Sequence, residues 1–287
     1  MAENCIFGFN RWTEEAAFTG GSWNATYPAT NLGSLPLSKV ARSSDATTAS
    51  TQFVATFSQQ RPIRLLALVR HNCSLDASFR VRLYGDTGLT ELVYDSGWLN
   101  VWPACYSPEN LDWEDDNWWT GGYTEDEIQG YPWTRPLWLG QAWLARAIKV
   151  EIDDTGNDDG YVQLGLCEIA QGWQPSNNFR YGLEQGFESR SDSQQALGGA
   201  EYFDQRPLQR VARGEIPGLS HDEALERGFE LLRRSDRVTP FLWFPFPDSS
   251  EHWLREVYLA RFSELGLLGH VSFNRDRFPF AVREVVE

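Results

Sequence analysis

Residues 61–72, RPIRLLALVRHN, carry the reading that decides the fold. From Leu65 to Val69 the apolar run is unbroken, and His71 and Asn72 close it with a turn signal. A run this short, without helical spacing, reads as a strand covered on both faces. Its flanks have the neighbours such a strand needs. TQFVATFS (51–58) sets Phe53, Ala55 and Phe57 against Gln52, Val54 and Thr56. SFRVRLYGD (78–86) places Phe79, Val81 and Leu83 on one side and Arg80, Arg82 and Tyr84 on the other. ARAIKVEIDD (145–154) opposes Ile148, Val150 and Ile152 to Ala147 and Lys149, and GYVQLGLCEIA (160–170) completes the set. A period of two recurs between turn clusters, so the fold class is mainly β, and the first 179 residues form a sandwich or jelly roll.

The chain has 287 residues, 41% hydrophobic and 23% charged, which suits two folded domains, each able to bury its own core. A formal net charge of −15 argues against nucleic acid, whose phosphates need Lys and Arg. From Leu83 to Thr134 there is no Lys or Arg but eleven acids, a stretch that repels anionic membranes as well. Cys5, Cys73, Cys105 and Cys167 form no CxxC pair and read as reduced, buried thiols. The opening MAENCIFGFNRW has no basic and then apolar leader pattern, and no window approaches 18 apolar residues, so the expectation is a cytosolic product that does not span a membrane.

Between the third strand and the next recognisable one lies a long insertion, about 98–143, holding eight of the thirteen tryptophans. Its centre, LDWEDDNWWTGGYTEDE (111–127), places indoles among carboxylates. Aromatic faces beside acids suit a sugar or a protein partner, and clustered carboxylates suit Ca²⁺. The candidate partner or glycan contacts are Trp113, Trp118, Trp119, Tyr123 and Trp133, with Trp23 and Tyr27 as further rim aromatics. DDTGNDDGY (153–161) offers Asp154, Asn157, Asp158 and Asp159 as candidate calcium ligands, although the same residue types make an ordinary hairpin turn. No other cofactor is expected.

Enzyme signatures are absent. His71, His221, His252 and His270 stand in unlike contexts, and no GxSxG, HExxH or GxxxxGK[ST] occurs. Asp112 with Glu114, or Asp115 with Asp116, offers paired carboxylates, but neighbouring acids on one loop read as a solvated face. The chain is therefore expected not to be an enzyme.

After the cluster Pro175 to Asn178 a second domain is expected over 180–287, α+β, with one helix in LSHDEALERGFELLRRSD (219–236). Ser220 and Glu223 form a capping box, Arg233 and Arg234 close the last turn, and Leu225, Phe229 and Leu232 are expected to share the inner face. RPLQRVARGEIPG, TPFLWFPFP, WLREVYLARFSEL and LGHVSFNRDRFPFAVREV surround it as strands.

The order YPATNLGSLPLSKVARSSD, a strand, RPIRLLALVRHN, ASFRVRLYGD, AIKVEIDD and VQLGLCEIAQGWQPSNN resembles the galactose-binding-like, discoidin-type jelly rolls of tailed-phage structural proteins. The second half, through Arg206, Arg210, Leu219, Ser220, Glu223, Ala224, Phe229, Leu232 and Pro240 to Phe244, resembles the belt or split-barrel domain of distal tail proteins. Those proteins usually carry the belt first, and this chain reverses the order. The resemblance implies a structural subunit of a long-tailed phage tip or baseplate. Such a subunit forms a ring of three or six copies through 180–287, joins the tail tube to hub and tip proteins, is assembled in the host cytoplasm and resides in the virion. The alternative is a carbohydrate-binding adhesin whose Trp-rich insertion holds cell-surface polysaccharide.

Overall fold

The computed structural model describes residues 3–106, 109, 111–115, 117–195, 198–199 and 201–286. The strands are β1 (Ile6–Phe7), β2 (Ala17–Thr19), β3 (Ala41–Arg42), β4 (Phe53–His71), β5 (Ser78–Tyr84), β6 (Leu92–Asn100), β7 (Thr134–Asp153) and β8 (Gln163–Ala170). They continue with β9 (Glu184–Glu188), β10 (Asp192–Gln195), β11 (Glu201–Asp204), β12 (Gln209–Ser220), β13 (Phe241–Phe244), β14 (Tyr258–Glu264), β15 (Gly269–Ser272) and β16 (Arg275–Glu284). The protein is mainly β, as the alternating segments predict. No described helix is long and apolar enough to cross a membrane.

The chain forms two compact units, residues 1–173 with 242–258, and residues 174–241 with 259–287. The sequence suggests a linear boundary near 179/180; the structural division instead returns 242–258 to the first unit. That return has a local cause. Ile6 and Phe7 pair with Phe244 and Trp243, and Gly8 donates its N–H to the Leu242 carbonyl at 2.8 Å. A Cβ on Gly8 would stand 2.7 Å from the Leu242 nitrogen, so only glycine admits this approach.

In the first unit the antiparallel order is β3-β8-β4-β7-β5-β6, with β2 on the free flank of β4. The two long strands, β4 and β7, make the sandwich. Their pairing shifts register between Thr56 and Arg61 and again between Ile63 and Leu65. Each bulge bends the ribbon and resets which side chains face inward. Phe53, Ala55 and Phe57 from the first half of β4 therefore share one core with Ile63, Leu66 and Leu68 from the second. Phe79, Val81, Leu83, Ile148, Val150 and Ile152 complete it, all fully buried. Leu65 to Val69 is buried on both faces, between β7 and β8, as its uniform apolarity implies.

In the second unit β12 lies between β9 and β16, β16 also pairs with β14, and β15 adds to the start of β16. The helix runs over 221–235, with a π segment at Ala224–Phe229 between α turns. Its buried face is Ala224, Gly228, Leu231 and Ser235. Leu225 and Phe229, expected inside, are exposed, and Leu232 is only half-buried. The reason is close approach: a Cβ on Gly228 would lie 3.0 Å from the Phe278 ring, so the contact face accepts only small residues beside Leu231. The cap also differs from expectation. Ser220 Oγ accepts from the Glu223 N–H at 3.2 Å, but the Glu223 carboxylate accepts from Ser176 instead of from the cap backbone.

Candidate functional site

The insertion between β6 and β7 is shorter than the sequence suggests. Trp98 belongs to β6, and Trp138 and Trp143 to β7, leaving residues 101–133 as the connection. β propensity in these aromatic segments extends the two strands into what reads as a loop.

The root of this connection is part of the sandwich core. Trp102, Cys105, Tyr123 and Ile128 are buried in it, and Trp133 packs against it. His71, at the end of β4, lies 5.4 Å from the Trp102 ring and 5.8 Å from Trp133, and the two indoles meet edge to face at 5.1 Å. Each indole N–H is used: Trp102 donates to the Cys73 carbonyl at 3.2 Å and Trp133 to Ile128 at 2.7 Å. The Tyr123 hydroxyl donates to the Glu251 carbonyl at 2.7 Å. Thr124 and Glu127 form a capping box at the turn Glu125–Ile128, and Arg255 lies 3.6 Å from Glu127. Arg135 is buried across the same floor, over the Phe79 and Trp253 rings, and donates to Asn100 and Pro136 carbonyls.

Burial governs titration here. It pushes His71 down to about 3, with Arg135 adding positive potential, so the imidazole is neutral and its Nδ1 accepts the Cys73 N–H. Arg135 is itself lowered to about 10 by burial. The buried Cys73 and Cys167 thiols are pushed upward by desolvation, which makes them inert packing residues.

The tip, residues 111–122, is different. Trp113 is 75% and Trp119 84% exposed, and Trp118 holds Trp119 edge to face at 4.6 Å. Successive turns support them. Asp115 donates its N–H to the Asp112 carbonyl at 2.9 Å, and its carboxylate accepts the Asp112 N–H at 2.9 Å. Asn117, buried, accepts at its carbonyl from Gly121 and donates Nδ2 to Gly122 at 2.7 Å. Gly121, at φ +59°, receives the N–H groups of Cys105 and Tyr106 on its carbonyl. Of the five aromatics singled out from sequence, Trp118 and Trp119 stand together at the tip and Trp113 is exposed on the same segment, while Tyr123 and Trp133 are root anchors. Asp116, one of the paired acids, lies outside the described residues.

The rim aromatics also divide. Trp23 is tied down, donating to the Gln52 carbonyl at 3.2 Å with its edge on Phe53. Tyr27 and Tyr161 take the Arg42 guanidinium between them at 4.9 and 4.2 Å.

The 153–161 loop directs the Asp154 and Asp159 carboxylates to donors in the protein. Asp154, buried, accepts from Ser74 and from Asn157 Nδ2. Asn157 Oδ1 accepts the Asp159 N–H at 2.9 Å, and the Asp159 carboxylate accepts Asn72 Nδ2 at 2.8 Å. Asp158 is exposed. The Asp154 and Asp159 carboxylates thus tie the loop to Asn72 and Ser74 after β4, while Asn157 closes the turn from within.

No protein-family model matches the chain, and no curated protein does. Among solved structures it is similar to the family 32 carbohydrate-binding module of Clostridium perfringens NanJ in complex with galactose, at 12% identity and TM-score 0.37, covering 58% of this chain and 98% of that one. It is similar also to a Streptococcus pneumoniae fucose binding module, at 14% identity and TM-score 0.35, covering 54% and 90%. A chitosan-binding module from Paenibacillus sp. IK-5 gives 12% and 0.36, covering 56% and 98%. At scores this low the likeness transfers no ligand, and the sandwich stands on the strands described above.

Proposed function

We propose that the protein is a non-catalytic assembly subunit that associates with further copies of itself through the second unit and presents the sandwich as a contact module. One observation carries the reading: the hairpin β10–β11. It pairs Asp192 to Gln195 with Asp204 to Glu201, and every one of these residues is exposed, including Tyr202 and Phe203. A two-stranded hairpin with no buried face is marginal in water, and exposed aromatics on such an arm fit a site occupied by a neighbour. Phe187, Leu225, Phe229, Val238, Leu267 and Phe273 are exposed in the same unit. With the resemblance of motif order, this supports a ring-forming subunit of a phage tail tip, acting in the virion.

Light scattering on the purified chain tests it. The expected mass is a multiple of 32.8 kDa, reduced to the monomer by exchanging Tyr202 and Phe203 for serine, with the far-UV circular dichroism unchanged. A wild-type monomer at its highest soluble concentration overturns the self-assembly reading.

A second reading, glycan binding, is favoured by the exposed Trp113 and Trp119, which offer stacking faces beside the Asp112, Glu114 and Asp115 carboxylates. Absence of binding to any glycan of a broad array removes it.

A further inference from the structure

We propose that His221, His270 and Asp276 form a binding site for one divalent transition-metal ion of the zinc class. The side chains come from three different places in the second unit. Asp276 is the second residue of β16, where its partners are Leu219 on β12 and His270 on β15. His221 opens the helix directly after β12. Sheet pairing therefore sets Asp276 between an imidazole from a neighbouring strand and one from a helix start.

The carboxylate is 1% exposed, and each oxygen faces a different imidazole: Oδ2 lies 2.8 Å from His221 Nδ1, and Oδ1 meets His270 Nδ1. The ring centroids are 5.1 Å apart. Each residue offers a donor atom, and the three donors lie within 4.8 Å of one another.

Burying a carboxylate is costly without a partner, and among the described residues each oxygen of Asp276 meets an imidazole. An ion about 2.0–2.2 Å from each donor supplies charge, and the rings, 40% and 71% exposed, leave it a way in from solvent. Two imidazole nitrogens and one carboxylate oxygen are the donor set of zinc, cobalt and nickel, whereas calcium and magnesium take oxygen. Three protein ligands leave a fourth position open to solvent. The inference is independent of the assembly reading.

The test uses the tag-free full chain, stripped with a chelator and titrated with Co²⁺ and then Zn²⁺ by absorption and calorimetry. We expect one ion per chain, with Co²⁺ bands in the visible and no thiolate charge-transfer band, because all four cysteines are buried elsewhere. Losing even an outer partner of a metal site costs about 10–100-fold in affinity, so His221→Ala and His270→Ala should each weaken binding at least that far. Both side chains are substantially exposed, and circular dichroism should report an unchanged fold. His252→Ala should bind as wild type. Lack of saturable binding, or binding indifferent to His221→Ala and His270→Ala, overturns the proposal.

Discussion

Acid should loosen the sandwich through His71. Its imidazole is buried between Trp102 and Trp133, beside Arg135, and held down to about 3 from an ordinary 6.5. A folded value below the unfolded one means that the unfolded chain takes up the proton first. The stabilisation is thus fully present above about pH 6.5 and is lost as pH falls toward 3. Between pH 7.5 and 5.0 these two values correspond to a loss of about 2 kcal/mol from this one group. The perturbation is His71→Asn, whose side-chain oxygen can still accept the Cys73 N–H but does not titrate. All thirteen tryptophans fall in the first unit, so their fluorescence follows its unfolding alone. Urea unfolding at both pH values should show the wild type's advantage over the variant shrinking by about 2 kcal/mol at pH 5.0. An advantage that stays constant refutes the reasoning. If the variant does not fold, the His71 ring signals in the wild type decide the point, since they should not titrate between pH 7.5 and 5.0.

In the second unit, Leu231→Ala opens a cavity under the helix and should cost about 2–5 kcal/mol in chemical denaturation, whereas Phe229→Ser, at an exposed position, should stay within about 0.5 kcal/mol. Equal losses would contradict the observed helix face. Phe229→Ser combined with Leu225→Ser should also lower the mass seen by light scattering, if this face is covered in the assembly. At the insertion tip, Trp113→Ala with Trp119→Ala should leave the unfolding midpoint of the first unit unchanged and abolish any glycan-array signal of the wild type. Trp133→Ala, by contrast, removes a root anchor and should cost about 3–5 kcal/mol.

Much of this was legible without coordinates. Phe53, Ala55 and Phe57, then Phe79, Val81 and Leu83, then Ile148, Val150 and Ile152 all face inward as their alternation requires, because a strand's side chains reverse at every residue. The double burial of Leu65 to Val69 follows from their lack of any polar position. The helix was recognisable at Ser220, but its inner face was not. Period and apolarity favoured Leu225, Phe229 and Leu232, whereas Phe278 approaches so closely that Gly228 and Ala224 take the contact. Likewise, eight clustered tryptophans marked an unusual segment, yet composition alone does not distinguish Trp133, a core anchor, from Trp119, a solvent-facing plate.

Local patterning, in short-range alternation and turn residues, determined which segments are strands and that the class is mainly β. Tertiary structure alone decided what comes together across the chain. Ile6 and Phe7 find Phe244 and Trp243, more than two hundred residues away, and so return 242–258 to the first unit. His221, His270 and Asp276 are separated by stretches with no shared motif and meet only because β16 lies between β12 and β15. Periodicity reports the burial of one segment against an unspecified neighbour; the identity of that neighbour is a long-range choice, made by packing of the whole core.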